Sequence, residues 1–185
     1  SAASDVYKRQ GIGGSWDSTN VADGIVSVVA PVGLDHTDML GDTLAEIATE
    51  KAGIIKPDGY LISAAQDPEV ATILLDTARK QNAKYAFEGV EFGVVERDRA
   101  VGGQLLTLRG LAGEYPEIEL PLHGEHQGQN ASLALAAVEA FFGGDRALAR
   151  DVVLAGFAQV RSPGRLEMIR SEPLVVLDAA HNPHG

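Results

Sequence analysis

The chain has 185 residues, 45% of them apolar, and its 15 lysines and arginines against 26 aspartates and glutamates leave a net charge of −11. At roughly 150 residues per domain this allows one domain and the beginning of a second, with apolar mass enough for a real core. The charge repels phosphate backbones and anionic membranes, which excludes nucleic acid and membrane surfaces as partners. The absence of cysteine excludes a disulfide framework, a thiolate metal site and a thiol nucleophile. No apolar run approaches the ~18 residues that span a bilayer, and the start lacks the basic-then-apolar order of a secretory signal. The sequence reads as that of a soluble, cytoplasmic protein.

Residues 1–10 match no periodicity, and Asp5 to Gln10 resemble the read-through of a sequencing adapter; they are set aside as a non-native tail. Ile25 to Val32 is a nearly continuous β-branched run, the pattern of a strand covered on both faces. A helix is predicted from about Asp42 to Ile55 with Asp42 or Thr43 as cap. Pro57-Asp58-Gly59 then turns into a strand at Tyr60 to Ala64. Asp67-Pro68-Glu69 opens a second helix with the stripe Val70, Ile73, Leu74 and Ala78, followed by a short strand at Tyr85 to Phe87. Glu91 to Glu96, Leu105 to Arg109 and Ile118 to Leu122 read as antiparallel strands separated by turn residues. Helices are predicted from Gln127 to Phe142 and from Asp145 to Phe157. Leu174 to Leu177 is predicted as a buried strand that opens a further domain.

In open α/β sheets ligands collect at the carboxyl ends of strands, which singles out Asp35-His36 and Asp178, His181 and Asn182; the same residues also suit plain loop capping. Lys51 falls in the stripe Leu44, Ile47, Ala48, Lys51, Ile55. Desolvation favours a neutral amine, which can take up carbon dioxide and become a carboxylate-like carbamate, although a lysine snorkelling from a helix face satisfies the same pattern. Asn130 sits in the stripe Asn130, Leu133, Ala134, Ala137, Val138, Phe141, with His126 and Gln127 one turn above. A buried amide there suits a planar base, or equally a helix-start network without a ligand. Arg165, after Pro163-Gly164, could clamp a phosphate or pair with an acid.

Gly11-Ile12-Gly13-Gly14 alone is a weak signal. Seven ordered motifs together are specific: Gly-x-Gly-Gly-x-x-Asp-x-Thr-Asn over 11–20, Gly33-Leu34-Asp35-His36, Leu40-Gly41-Asp42-Thr43, the run Ile47 to Lys56, His126-Gln127-x-x-Asn130-Ala131, Pro163-Gly164-Arg165-Leu166-Glu167, and Asp178-x-Ala180-His181-Asn182-Pro183. This order resembles folylpolyglutamate synthase, often bifunctional as dihydrofolate synthase, in the Mur ligase superfamily. The resemblance covers Gly11 to Gly185.

The resemblance implies an α/β fold: a P-loop ATPase-like Mur ligase central domain over 11–165, and the first strand of a Rossmann-like glutamate-ligase domain over 166–185. It implies ATP-dependent ligation of L-glutamate to the carboxylate of dihydropteroate or a reduced folate through an acyl phosphate, with Mg2+ neutralising the phosphates. Carried over by position, His36 is the magnesium-binding histidine, Lys51 the carbamylated lysine, and Arg165 a phosphate contact. Asn130 lies at the base, Asp178 contacts the nucleotide from the next domain, Trp16, Asp17 and Ser18 hold the pterin, and His181 faces the glutamate side. The full-length enzyme is expected to be monomeric.

The Gly-x-x-x-x-Gly-Lys-Ser/Thr loop of the family is absent here, and Arg9 stands where the family has a magnesium-binding glutamate. The chain therefore reads as an internal fragment, expected to bind Mg-ATP weakly by itself. Two rival readings are a sibling Mur-type ligase building a peptide-like product and a noncatalytic nucleotide-binding module. Trp16 to Asn20 and Pro163-Gly164-Arg165 favour the folate branch.

Overall fold

The computed structural model describes residues 14–15, 18–33, 43–164 and 167–178. The chain divides into two compact units, residues 1–85 and 86–185.

The first unit is built on β-α-β order. Strand β1 (Val26–Val29) pairs in parallel with β2 (Tyr60–Ser63), Val26 opposite Tyr60 and Val29 opposite Ser63. Strand β3 (Lys84–Phe87), across which the boundary of the units falls, completes the order β1-β2-β3. Helix α1 (Leu44–Ala52) begins at Thr43, whose hydroxyl accepts from the Glu46 N–H while the Glu46 carboxylate accepts from the Thr43 N–H. This reciprocal capping box fixes which of the two predicted caps is used. Helix α2 (Pro68–Lys80) is capped by Asp67, with proline in its first turn and Arg79 and Lys80 in its last. Of the predicted stripe Val70, Ile73, Leu74 and Ala78, all are buried except Ile73, which is half-buried. Helices α1 and α2 pack against each other. The turns at the far ends of β2 and α2 are pinned together: Asp58 and Asn82 both take positive φ, and the Asn82 amide donates to Asp58 Oδ1 at 2.7 Å.

Strand β1 departs from the expectation. Ser27 and Val29 are buried, whereas Ile25 and Val28 are 63% and 41% exposed. Among the described residues β1 forms an edge of the sheet covered on one face, and the fully covered strand is β2, where Leu61, Ile62 and Ser63 are all buried. A β-branched run records strand propensity on both faces but not whether both are covered.

The second unit carries an antiparallel meander of β4 (Gly93–Ala100), β5 (Gly103–Arg109) and β6 (Glu114–Leu120). One face buries Leu106, Leu108, Tyr115, Ile118 and Leu120 together with Ala131, Leu135 and Val153. The last three come from helices α3 (Glu125–Phe141), packed on β4 and β5, and α4 (Arg150–Ala158), packed on β6. The helix predicted from Asp145 begins five residues later. Gly143 and Gly144, both at positive φ, turn the chain, and 145–149 run on without helix.

The last strand is also different from its prediction. Leu174–Leu177 forms β8, but it pairs antiparallel with β7 (Glu167–Ser171), a strand the sequence reading left out. Val175, Val176 and Leu177 are 38–49% exposed rather than buried. A short segment such as Glu167-Met168-Ile169-Arg170, with two adjacent apolar residues between charges and no period-2 alternation, carries little strand signal until its hairpin partner is present.

Candidate active site

Of the residues singled out by sequence, Trp16, Asp17, His36, Arg165 and His181, with Arg9, lie outside the described residues. Ser18, Lys51, Asn130 and Asp178 are described. Ser18 opens a 3-10 turn, Ser18–Val21. Lys51 is half-buried in the last turn of α1, and Asp178 is exposed directly after β8.

In the first unit the segment around the candidate substrate residues is fastened to the carboxyl end of α1, where Lys51 sits. The Ser15 N–H donates to the Glu50 carbonyl at 3.2 Å, and the Asn20 amide donates to the Gly53 carbonyl at 3.3 Å. Lys56 donates its ammonium to both the Asn20 carbonyl, at 2.6 Å, and Asn20 Oδ1, at 3.0 Å. Gly14, at φ +57°, lies so close to the Glu50 backbone that a Cβ would overlap it, and a Cβ on Gly53 would overlap the Ser15 hydroxyl. The final glycine of Gly11-Ile12-Gly13-Gly14 is thus required for close approach to α1. Residues 14–15 and 18–20, which bracket Trp16 and Asp17, are held to the turns before and after Lys51.

Lys51 is less central to its helix than the stripe suggested. The buried residues of α1 are Ile47, Ala48 and Ala52, so Lys51 stands at the border of the apolar face, with Glu46 and Thr49 in solvent. The cause is helical phase: Ala52 takes the buried position one residue on, and the lysine lies about 100° around from it.

The exit of β1 toward His36 is set by a residue that the sequence reading passed over. Gln66 donates to the Ala30 carbonyl at 3.0 Å and accepts from the Val32 N–H at 2.9 Å, so its amide mimics one more rung of the sheet beyond the end of β1. It also donates to Ser63 Oγ at 3.2 Å. The carboxyl edge of the sheet is therefore held by a side chain, where sequence periodicity gives no signal. A cavity of about 250 Å3 bordered by Asp23, Ile25, Lys56 and Asp58 opens beside the amino ends of β1 and β2, the opposite edge, and contains none of the candidate residues.

In the second unit Asn130 is exposed, which corrects the expectation of a buried amide. Its apolar companions Val138 and Phe141 are each 46% exposed, and Ala134 is exposed too. Of that stripe Leu133 is buried, and helix α3 otherwise turns inward Gln127, Gly128, Ala131, Ser132, Leu135, Ala136, Glu139 and Ala140. The reason is the buried Glu139 carboxylate, which accepts from the Tyr115 hydroxyl at 2.6 Å and from the Leu111 N–H. The Tyr115 oxygen in turn accepts from the Leu148 N–H at 2.7 Å. Burial pushes the Tyr115 hydroxyl up to about 12, and the hydrogen bond to the Glu139 carboxylate adds to the rise. Asn130 donates to Gln127 Oε1 at 3.3 Å, so the helix-start network considered from sequence is present.

Among the described residues no group of three or more His, Cys, Asp or Glu could hold a metal ion. Lys51 fits a metal site only through its amine chemistry, because an ammonium is a donor with no lone pair for a cation. No described helix is long and apolar enough to cross a membrane.

The profile of the Mur ligase middle domain matches residues 14–138. The chain is similar to a dihydrofolate synthase/folylpolyglutamate synthase of Mycobacterium tuberculosis, 53% identical over 183 residues, which are 95% of this chain and 38% of that protein. It also resembles the crystal structure of M. tuberculosis folylpolyglutamate synthase with ADP and AMPPCP, at a TM-score of 0.89 over 95% of this chain and 40% of that one. An FPGS–AMPPCP–folate complex, 33% identical, aligns with a TM-score of 0.90 over 95% of this chain and 43% of that one. The chain thus spans about two fifths of the length of the relatives it matches. With the middle-domain profile covering more than half of its residues and the α/β order of that domain visible in its strands, the chain belongs to the Mur ligase family.

Proposed function

We propose that this chain forms part of an ATP-dependent carboxylate–amine ligase that joins L-glutamate to the carboxylate of dihydropteroate or a reduced folate. The carboxylate attacks the γ-phosphorus of ATP, releasing ADP. The glutamate amine then displaces phosphate from the acyl phosphate and loses a proton as the amide forms. The observation that carries the reading is the fastening of the segment around Trp16 and Asp17 onto the turns that flank Lys51, in a chain 53% identical to a dihydrofolate synthase/folylpolyglutamate synthase. A substrate segment tied to the catalytic helix lets binding of one reactant order the other.

In this reading residues 11–165 belong to the ATPase domain and 166–185 open the glutamate-ligase domain. Trp16, Asp17 and Ser18 contact the pterin: the indole stacks and the carboxylate accepts from ring N–H groups. Asn130 contacts the nucleotide base, Arg165 the phosphates, Asp178 the nucleotide, and His181 the glutamate side. Lys51 adds carbon dioxide at Nζ with loss of a proton, and the resulting carbamate and His36 would hold Mg2+. Magnesium, when bound, neutralises phosphate charge during transfer. The enzyme is read as a cytoplasmic monomer acting on small molecules and not on nucleic acid.

The test is a full-length chimera in which residues 14–178 replace the matching segment of the mycobacterial relative. It is expected to release ADP only when both a folate or pteroate substrate and glutamate are present. Lys51→Ala should lower turnover on the order of 100-fold, with partial recovery on adding a short carboxylate. Glutamate-independent ADP release, or full turnover by Lys51→Ala, would overturn the reading. Nucleotide binding with no ADP release would instead favour a noncatalytic module.

A further inference from the structure

Helix α3 starts without a side-chain cap. Its N-cap is Gly124, at φ +97°, which offers no side-chain oxygen to the first-turn N–H groups. The start of a 17-residue helix that carries His126, Gln127 and Asn130 is therefore fixed by something else. That something is Gln104, the second residue of β5.

Gln104 is 3% exposed, on the sheet face that also presents Leu106 and Leu108 to the core. Its Nε2 donates to the Leu122 carbonyl at 2.9 Å and to the Gly124 carbonyl at 3.0 Å. Both groups within reach are acceptors, so the NH2 must face them, and among the described residues nothing donates to the buried Oε1. The amide thereby holds the two carbonyls that bracket His123. The hold continues along the helix. The Gly124 carbonyl also accepts from the Gln127 N–H at 3.1 Å, and the buried Gln127 side chain accepts from the Asn130 amide at 3.3 Å. A connected path of hydrogen bonds runs from Gln104 through Gly124 and Gln127 to Asn130.

We propose that Gln104 is a positioning residue for the nucleotide site: it clamps the 122–124 turn from the sheet and, through Gln127, sets the orientation in which α3 presents Asn130. The proposal rests on the reading above that the start of α3 meets the nucleotide. Gln104 itself touches no reactant. Its loss loosens the turn while the sheet beneath keeps its core, so nucleotide affinity falls and the chemical step at saturation does not.

The experiment uses the full-length chimera and Gln104→Met, which keeps the length of the side chain and removes both donors. The MgATP dissociation constant by calorimetry is expected to rise about tenfold, with kcat at saturating MgATP within about twofold and KM for the folate substrate unchanged. Amide hydrogen exchange of the nucleotide-free protein should accelerate over 121–130 and not over β6. Ile118→Val, a core change in β6, provides the control for stability alone and should leave MgATP affinity intact. An unchanged MgATP affinity in folded Gln104→Met overturns the proposal, as does a parallel change in all three kinetic constants. Should that variant fail to fold, Gln104→Asn, whose amide is withdrawn by one carbon, is measured in the same way; wild-type affinity and exchange in it also overturn the proposal. Asn130→Ala separates the two readings. A weakened Asn130→Ala beside a normal Gln104→Met keeps the nucleotide contact and sinks the positioning role. The converse keeps the hold of Gln104 on the start of α3 and removes Asn130 as the contact, and no effect in either removes both.

Discussion

Helices α2 and α3 place their faces by different physics. In α2 the buried residues Val70, Leu74 and Ala78 stand in one stripe, flanked by half-buried Ala71, Ile73 and Leu75, and charged or hydroxyl side chains such as Glu69, Thr72, Asp76 and Lys80 take the opposite side. Only one face can be buried, and it is legible from sequence. Helix α3 is apolar on several sides from Ala131 to Phe141, so several phases would bury similar area. Its phase is decided by Glu139, whose carboxylate reaches the buried Tyr115 hydroxyl and the Leu111 N–H on the β5–β6 side. One buried polar group with fixed partners selects among apolar arrangements that are nearly equal, because in any other phase the Tyr115 hydroxyl and the Leu111 N–H would lose their acceptor.

The sharpest way to break this contrast is Glu139→Ala. It leaves the Tyr115 hydroxyl and the Leu111 N–H without their acceptor in the core, and a loss of about 3–5 kcal/mol in urea unfolding is expected. In α2 no polar group carries that weight, and Leu74→Ala is expected to cost about 2–5 kcal/mol through its cavity alone. If Glu139→Ala were the milder of the two, α3 would be held by packing as α2 is.

A smaller effect separates the members of the Glu139 cluster. Tyr115→Phe should cost about 1–3 kcal/mol near neutral pH, since it removes two hydrogen bonds, the one donated to Glu139 and the one accepted from the Leu148 N–H, and leaves Glu139 its contact with Leu111. The pH dependence has a definite sign. Tyr115 is raised from 10.0 to about 12 in the folded protein, so above pH 10 the unfolded chain releases this proton first. The contribution of Tyr115 is complete below pH 10 and is lost as pH climbs from 10 to about 12. Urea midpoints measured over that range should fall more steeply for the wild type than for Tyr115→Phe.

The smallest expected effect concerns the exposed face of α3. Asn130→Ala should change stability by less than about 0.5 kcal/mol, as a surface substitution does. A loss several times larger would restore the buried amide first expected of this helix.

The candidate site divides along the same line. The motif order from Gly11 to Pro183 was enough to point to the Mur ligases, because spacing among chemically distinctive residues survives without any knowledge of packing. Lys51 was noticed because a cation interrupts an apolar stripe. Gln66, Gln104, Glu139 and the Asn20–Lys56 pair give no such signal, since a single polar side chain looks like solvated surface until its partner arrives from 18 to 36 positions away.

The features legible along the chain are local: a cap at Asp42 or Thr43, the Asp67-Pro68 start of α2, the β-α-β order and the turns of the meander. Tertiary structure alone decided which face of β1 is covered and which way α3 turns. Those choices depend on burial and on hydrogen bonds between distant segments. Such terms enter the free energy only once the segments meet, and the order of residues along the chain does not display them.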